Sequence, residues 1–258
     1  MNRQEGGWGD GLRLALGTLT VLPAPMPSRV DRVVAGRAMV LAPVVGVLLG
    51  AVSAGMVALV ELVKPAPLLA AVVGVLALVV LSGALHLDGL ADFADALGSR
   101  RDRETMLRIM KQSDIGPFGV VAIIGVLLLD IAALTTCIQS GFGWQAILIA
   151  TTASRLALPW ACRTSVPSAR PDGLGATVAS TVRAPAAVLT TIAVLALTMV
   201  LTWPANPVAG TAVLVAVAVS LPVTRRARTA LGGITGDVLG AAVELALPAT
   251  LLTLAFVT

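Results

Sequence analysis

Long apolar runs alternate with short polar stretches along this chain. A membrane-spanning helix needs about 20 mostly apolar residues. Seven segments approach or meet that length: Ala38–Val60, Pro67–Leu85, Pro117–Ile138, Trp144–Ala161, Pro185–Trp203, Pro207–Val223 and Val238–Val257. Leu12–Leu22 is too short to span and stops at PAPMP, which predicts an interfacial or half-inserted helix. Pro248 predicts a kink in the last segment. The expected fold is all-α: a polytopic helical bundle of seven transmembrane helices plus that N-terminal helix, forming one membrane-embedded domain over 1–258.

Composition supports this. Of 258 residues, 57% are hydrophobic and 12% charged, against about 25% charged in a soluble domain. Such a chain cannot coat a water-facing surface. Aromatics are 3%, so the apolar bulk is Ala, Val and Leu. Small residues let membrane helices approach closely. A β-barrel would instead alternate with period two and carry aromatic girdles. MNRQEGGWGDGLRLALGTL carries Arg13 inside its apolar part and is not expected to be a cleavable signal peptide. Cys137 and Cys162 have no metal-type spacing, and His86 is the single histidine. A Cys/His zinc site is excluded on those grounds, and both cysteines are expected to be reduced packing residues.

The bases set a topology. Arg3, Arg13, Arg29, Arg32 and Arg37 precede the first run. Arg100, Arg101, Arg103, Arg108 and Lys111 follow the second, Arg163, Arg170 and Arg183 the fourth, and Arg225, Arg226 and Arg228 the sixth. The intervening connections hold only Lys64, or no base at all in QSGFG and PANP. Under the positive-inside rule this alternation places the N-terminus inside and the C-terminus outside, and requires seven spans. Every unusual polar motif then faces the cytoplasm: HLDGLADFADALG, KQSDIGPFG, ARPDGLG and LGGITGD. That one-sidedness points to an enzyme on cytoplasmic substrates. A transporter would place polar residues deep in several spans. Asp130 is the acid expected deepest.

Asp88, Asp92 and Asp95 stand at i, i+4 and i+7, along one face of a helix. Like charges on neighbouring turns repel, and an aspartate at the membrane centre costs about 2.5–3.5 kcal/mol. A divalent cation relieves both penalties. Oxygen-only ligands suit Mg²⁺ or Mn²⁺, with water and substrate phosphate completing the shell. Asp92, between the other two, could bridge two ions. A solvated face paired with the downstream bases is the competing reading. Asp237 and Glu244, seven residues apart in LGGITGDVLGAAVELA, form a second acidic face. Gly232, Gly233 and Gly236 beside it allow close approach to a ligand, and Thr235 among them is a candidate substrate contact.

The basic segment from Arg100 and Arg101 to Lys111 offers cations to a diphosphate, although positive-inside topology also explains bases there. Ser113 and Gly116 stand at the start of a helix, where free N–H groups favour anions. His86 is a candidate phosphate contact or proton-transfer group. Arg155, inside an apolar run, either snorkels to the interface or binds a charged partner or substrate.

These motifs, HLDGLADFADALG, MKQSDIGPFGVVA, ARPDGLGA and LGGITGDVLGAAVEL, together with LTVLPAP and GRAMVLAPVVGVLLG, resemble the cobalamin synthase family over nearly the whole chain and in the same order. Three departures stand out: Val21 where that family usually has arginine, Asp114 where it commonly has arginine, and no second acid after Glu244. The resemblance implies a Mg²⁺-dependent transferase of the bacterial inner membrane, with its active site on the cytoplasmic side. α-Ribazole, or its 5′-phosphate, would attack the cobinamide phosphate of adenosylcobinamide-GDP and release GMP. Asp88, Asp92 and Asp237 would carry metal, Asp95 would be the base or a second-metal ligand, and Glu244 would support them. The implied partners are these substrates, membrane lipid, and a second copy or other cobalamin-pathway enzymes, with no nucleic acid. The acidic row also looks somewhat like that of CDP-alcohol phosphotransferases, the alternative reading. A corrinoid permease comes third.

Overall fold

The computed structural model describes residues 7–204 and 206–258. Arg3, the start of the N-terminal stretch read for a signal peptide, and Ala205 of PANP lie outside the described residues.

The described chain is helical throughout: α1 (Trp8–Leu19), α2 (Arg32–Val63), α3 (Pro67–Leu81), α4 (Leu85–Gly98), α5 (Arg103–Ile109), α6 (Pro117–Gln139), α7 (Gly143–Ser154), α8 (Ala157–Ala161), α9 (Gly173–Val178), α10 (Ala184–Thr202), α11 (Gly210–Leu231) and α12 (Gly236–Val257). Strand pairing among these residues is confined to two isolated bridges, Arg163 with Val182 and Ser168 with Ile234.

Local chemistry sets several helix ends. Asp31 starts α2 by accepting hydrogen bonds from the Val33 and Val34 N–H groups at 2.9 Å. Asp102 does the same for α5 from Thr105 N–H at 3.0 Å, and Thr235 Oγ1 for α12 from Val238 N–H at 3.3 Å. Such caps satisfy donors that a helix start leaves free. Prolines open α3, α6 and α10, where a missing N–H costs nothing. Near the start of α1, the Ser28 hydroxyl and N–H both donate to Asp10 and hold its carboxyl below the usual carboxylate range.

This is a multi-pass membrane protein, but the count of seven spans is not confirmed. Among the described residues, five helical segments are long and apolar enough to cross a membrane: α2, α6, α10, α11 with its leading turn from Pro207, and α12. A sixth exists only if α3 and α4 are counted together, and they are bent by 86°. The fourth expected span breaks instead. α7 has 12 residues and α8 has 5. At about 1.5 Å per residue neither alone crosses a hydrocarbon core of about 30 Å, but together they carry the chain from Ser140, beside Thr258 at the end of α12, back to the segment over its start. α7 packs along α2 and α12, and most of its side chains are buried. A run made apolar by protein neighbours looks the same in sequence as one made apolar by lipid.

The second expected span ends early, at Leu81. Gly83 and Ala84 adopt φ values of 62° and 56°, and these two left-handed residues turn the chain sharply into α4. The aspartate row therefore lies on a separate helix set across the end of α3. α11 runs past Val223 and carries Arg225, Arg226 and Arg228 within its last turns. α12 is one continuous helix through Pro248. Both cysteines are free and buried, as expected.

α12 is the central element, packed against α4, α6, α7 and α11. Every residue from Val238 to Glu244 on it is buried. Its crossing with α4 depends on two glycines. A Cβ on Gly89 would lie 2.8 Å from the Asp237 carbonyl oxygen, and one on Gly240 would lie 3.0 Å from that of His86. The two backbones touch there, and no larger residue fits. Residues 163–183 lie over the start of α12. Ile234 N–H donates to Pro167 O and Ala169 N–H to Ile234 O, each at 2.9 Å. Arg103 ties α5 to the same place through Leu231 O at 2.7 Å and Ala169 O at 2.9 Å.

Candidate active site

The close α4–α12 crossing brings carboxylates from both helices together. Asp88 is exposed, while Asp92 and Asp237 are half-buried. Asp92 lies within electrostatic reach of Asp237, Asp88 and Asp95. Among the described residues, no hydrogen bond or ion pair engages the Asp88 or Asp92 side chain. Asp237 accepts one hydrogen bond, from Thr235 Oγ1 at 3.2 Å. Like charges held this close without internal partners await a cation or a cationic ligand.

One cation already faces them. Arg170 acts electrostatically on both Asp92 and Asp237. Its guanidinium donates to Leu107 O at 2.7 Å, which fixes its position, while Nε is buried without a partner. The sequence reading passed over this residue as a site member. Its only signal was its place in ARPDGLG, one of the polar motifs, and nothing local distinguishes it from other bases near membrane boundaries.

The remaining expected site residues divide. Asp95 stays on the row, but its oxygens accept from Gly116 N–H at 2.7 Å and Gly119 N–H at 3.0 Å. The anion at the start of α6 is thus the protein's own carboxylate, and Gly116 gives its N–H to Asp95. Thr235 and Gly236 line the space beside Asp237. Gly233 instead packs against the backbone of Pro167 and Ser168. Lys111 reaches the exposed Asp172 at 3.4 Å. Arg100 and Arg101 are solvent-exposed.

Glu244 and Arg155 are not on the carboxylate row. They lie in a buried polar group with His86 and Asp130, two turns further along α12. Arg155 is 1% exposed, within electrostatic reach of Glu244 and Asp130, and donates to Ser154 Oγ at 3.0 Å and Thr151 O at 3.3 Å. Glu244 Oε1 stands 4.0 Å from His86 Nδ1. Neither His86 nitrogen and neither Asp130 carboxylate oxygen has a hydrogen-bond partner.

Two kinds of space flank α4. On the α12 side a cavity of about 240 Å³ is bounded by Asp88, Asp237, Arg170 and His86 and by aliphatic walls including Met39, Leu158, Ile234 and Leu239. On the α6 side a cleft of about 350 Å³ is lined by Asp88, Asp92, Gln112, Ser113 and Asp114. A further cleft of about 230 Å³ continues it past Asp95 and Ser99. Asp88 borders both sides.

A fully protein-built metal cage is absent: among the described residues, no three His, Cys, Asp or Glu side chains converge closely enough to hold an ion. The donor set is nevertheless all carboxylate. Mg²⁺ ordinarily takes only one or two carboxylates and completes its octahedron with water and substrate phosphate, so these donors fit it.

Comparison with known proteins finds relatives along nearly the whole chain. The family model for cobalamin-5-phosphate synthase matches residues 11–255. A protein of Frankia casuarinae named adenosylcobinamide-GDP ribazoletransferase is 44% identical, covering 94% of this chain and 93% of its own length. Relatives of the same name from a Nocardioides species and from Pseudomonas aeruginosa are 43% and 40% identical, over 94% and 95% of this chain and 97% of each of theirs. No solved structure matches the chain.

Proposed function

The chain belongs to the cobalamin-5-phosphate synthase family, and on that premise we propose that it is an adenosylcobinamide-GDP ribazoletransferase. The comparisons favour this over a CDP-alcohol phosphotransferase. The observation that carries the chemistry is the meeting of Asp88, Asp92 and Asp237 opposite Arg170, between two clefts.

In the reaction a ribose hydroxyl of α-ribazole, or of its 5′-phosphate, attacks the cobinamide-side phosphorus of adenosylcobinamide-GDP. A new P–O bond forms, the diphosphate P–O bond breaks, and GMP leaves with the bridging oxygen. Such a transfer is catalysed mainly by positioning and by neutralising charge on the phosphoryl oxygens. Asp88 borders both clefts and is placed to accept the hydroxyl proton. The unpartnered Nε–H of Arg170 is available to a phosphoryl oxygen. Asp95 holds the start of α6 against the row, which keeps the Gln112–Asp114 wall of the leaving-group cleft in place. Asp92 and Asp237, with water and substrate phosphate completing the shell, would hold Mg²⁺, or Mn²⁺ in its place, which when bound would neutralise the diphosphate. Arg170 faces this site, Arg103 bonds the Leu231 carbonyl just before α12, and Arg225, Arg226 and Arg228 lie in the last turns of the helix that leads into α12. The positive-inside rule then puts the site at the cytoplasmic face of the bacterial inner membrane.

The test is GMP release by detergent-solubilised protein given adenosylcobinamide-GDP and α-ribazole, with Mg²⁺ or with chelator. Release that requires both substrates and stops with chelator supports the assignment. Well-folded protein that releases no GMP would remove it.

A further inference from the structure

The two spaces flanking α4 differ in the chemistry they offer, and the two substrates differ in the same way. We infer that the buried, mainly aliphatic end of the cavity on the α12 side receives the benzimidazole base of α-ribazole, with the His86 ring contacting its free nitrogen. This rests on the ribazoletransferase reading.

Three bulky groups compete for the cavity: corrin, guanine and benzimidazole. A corrin ring with its amide side chains far exceeds about 240 Å³. Guanine has N–H donors at N1 and N2 and acceptors at O6, N3 and N7. At the buried end of the cavity, among Met39, Leu158 and Leu239, most of these would lose water and gain nothing, because Asp88, Arg170, Asp172 and Asp237 stand at its more exposed end. Dimethylbenzimidazole presents a fused aromatic face, two methyl groups and one pyridine-type nitrogen. The buried end of the cavity presents aliphatic walls and the ring of His86, which has no hydrogen-bond partner among the described residues. His86 is 3% exposed, and 4.0 Å to Glu244 is too long for a hydrogen bond. Its N–H and the lone nitrogen of the base match one for one.

The other side of α4 suits the leaving nucleotide. Gln112, Ser113 and Asp114 offer an amide, a hydroxyl and a carboxylate, the partners a guanine edge needs. Asp88 borders both spaces. A sugar hydroxyl arriving from the cavity and a GMP departing into the cleft would lie on opposite sides of the phosphorus, as in-line displacement requires.

The experiment measures α-ribazole binding to the full-length solubilised protein by equilibrium dialysis, without the second substrate. Leu174 lines the cavity and is 38% exposed, so Leu174→Trp can fill it without overpacking the interior. The expected result is at least about a tenfold loss of α-ribazole affinity, with adenosylcobinamide-GDP affinity within twofold of wild type. A second comparison needs no variant. Wild type should bind the benzimidazole riboside about tenfold more tightly than the matching indole riboside, which has C–H in place of the lone nitrogen. His86→Phe should abolish that preference. The opposite pattern, with only adenosylcobinamide-GDP weakened by Leu174→Trp, overturns the assignment in favour of guanine. Equal binding of both ribosides by wild type overturns the role of His86. If wild type releases GMP while α-ribazole binding ignores both variants, the cavity assignment alone fails. If the predicted binding pattern appears without GMP release, the transferase reading alone fails.

Discussion

The two ends of the acidic face on α12 carry the same chemistry and meet opposite surroundings. At the first turn, Asp237 faces Asp92 and Asp88 across the α4 crossing, beside open clefts and a partly free arginine. Two turns on, Glu244 is enclosed with Asp130, Arg155 and His86, and all four are at least nine-tenths buried. The outer group repels itself and is reachable by ligand. The inner group shares one arginine between two acids and borders the clefts only through His86. Helical spacing puts acids on one face, but depth along the helix decides whether they bind something or hold the helices together.

The largest effect expected from this contrast is at the outer end. Asp92→Asn removes a charge that no protein donor stabilises. GMP release should fall by about 10²–10³-fold, the loss typical of a lost electrostatic group. The thermal midpoint in detergent should hold or rise, because repulsion with Asp88 and Asp237 is relieved. A drop in the midpoint would make Asp92 a structural acid and erase the contrast.

The inner end should respond in the reverse order. Arg155→Met leaves Asp130 and Glu244 buried without their cation. Breaking such a buried set costs about 3–5 kcal/mol. The thermal midpoint should fall sharply, while the protein that remains folded keeps its affinity for α-ribazole within a few fold. Unchanged stability with lost turnover would move Arg155 to the substrate, where its sequence position had also allowed it.

Asp95 tests the boundary between the two behaviours, and it shows what sequence could and could not convey. The row at 88, 92 and 95 is legible because a helix has a fixed period, and the apolar runs are legible because lipid demands them. That one row member caps another helix is not legible, since Gly116 and Gly119 approach it only after α6 folds against α4. For the same reason Arg170 looks in sequence like any interfacial base, and α7 looks lipid-facing although protein surrounds most of it. Asp95→Asn keeps one acceptor oxygen for the start of α6. The expected loss is about 1 kcal/mol of stability and about tenfold in turnover, with binding of Mg²⁺ unchanged. A loss as deep as that of Asp92→Asn, at unaltered stability, would return to Asp95 the role of base that its position on the row suggests.

The smallest effect belongs to the pair that spans the two sides from outside. Lys111 and Asp172 meet at 3.4 Å with side chains 56% and 66% exposed. An exposed pair of this kind contributes about 0–1 kcal/mol and weakens in salt. Yet Asp172 borders the apolar cavity, and Lys111 precedes Gln112 on the polar side. Lys111→Ala should therefore leave the thermal midpoint unchanged and alter GMP release by less than about threefold, with the difference vanishing at high salt. A larger, salt-resistant loss confined to the KM for adenosylcobinamide-GDP would show that Lys111 leaves Asp172 to meet the diphosphate. The cationic side of the site would then include a residue that the resting structure holds in reserve.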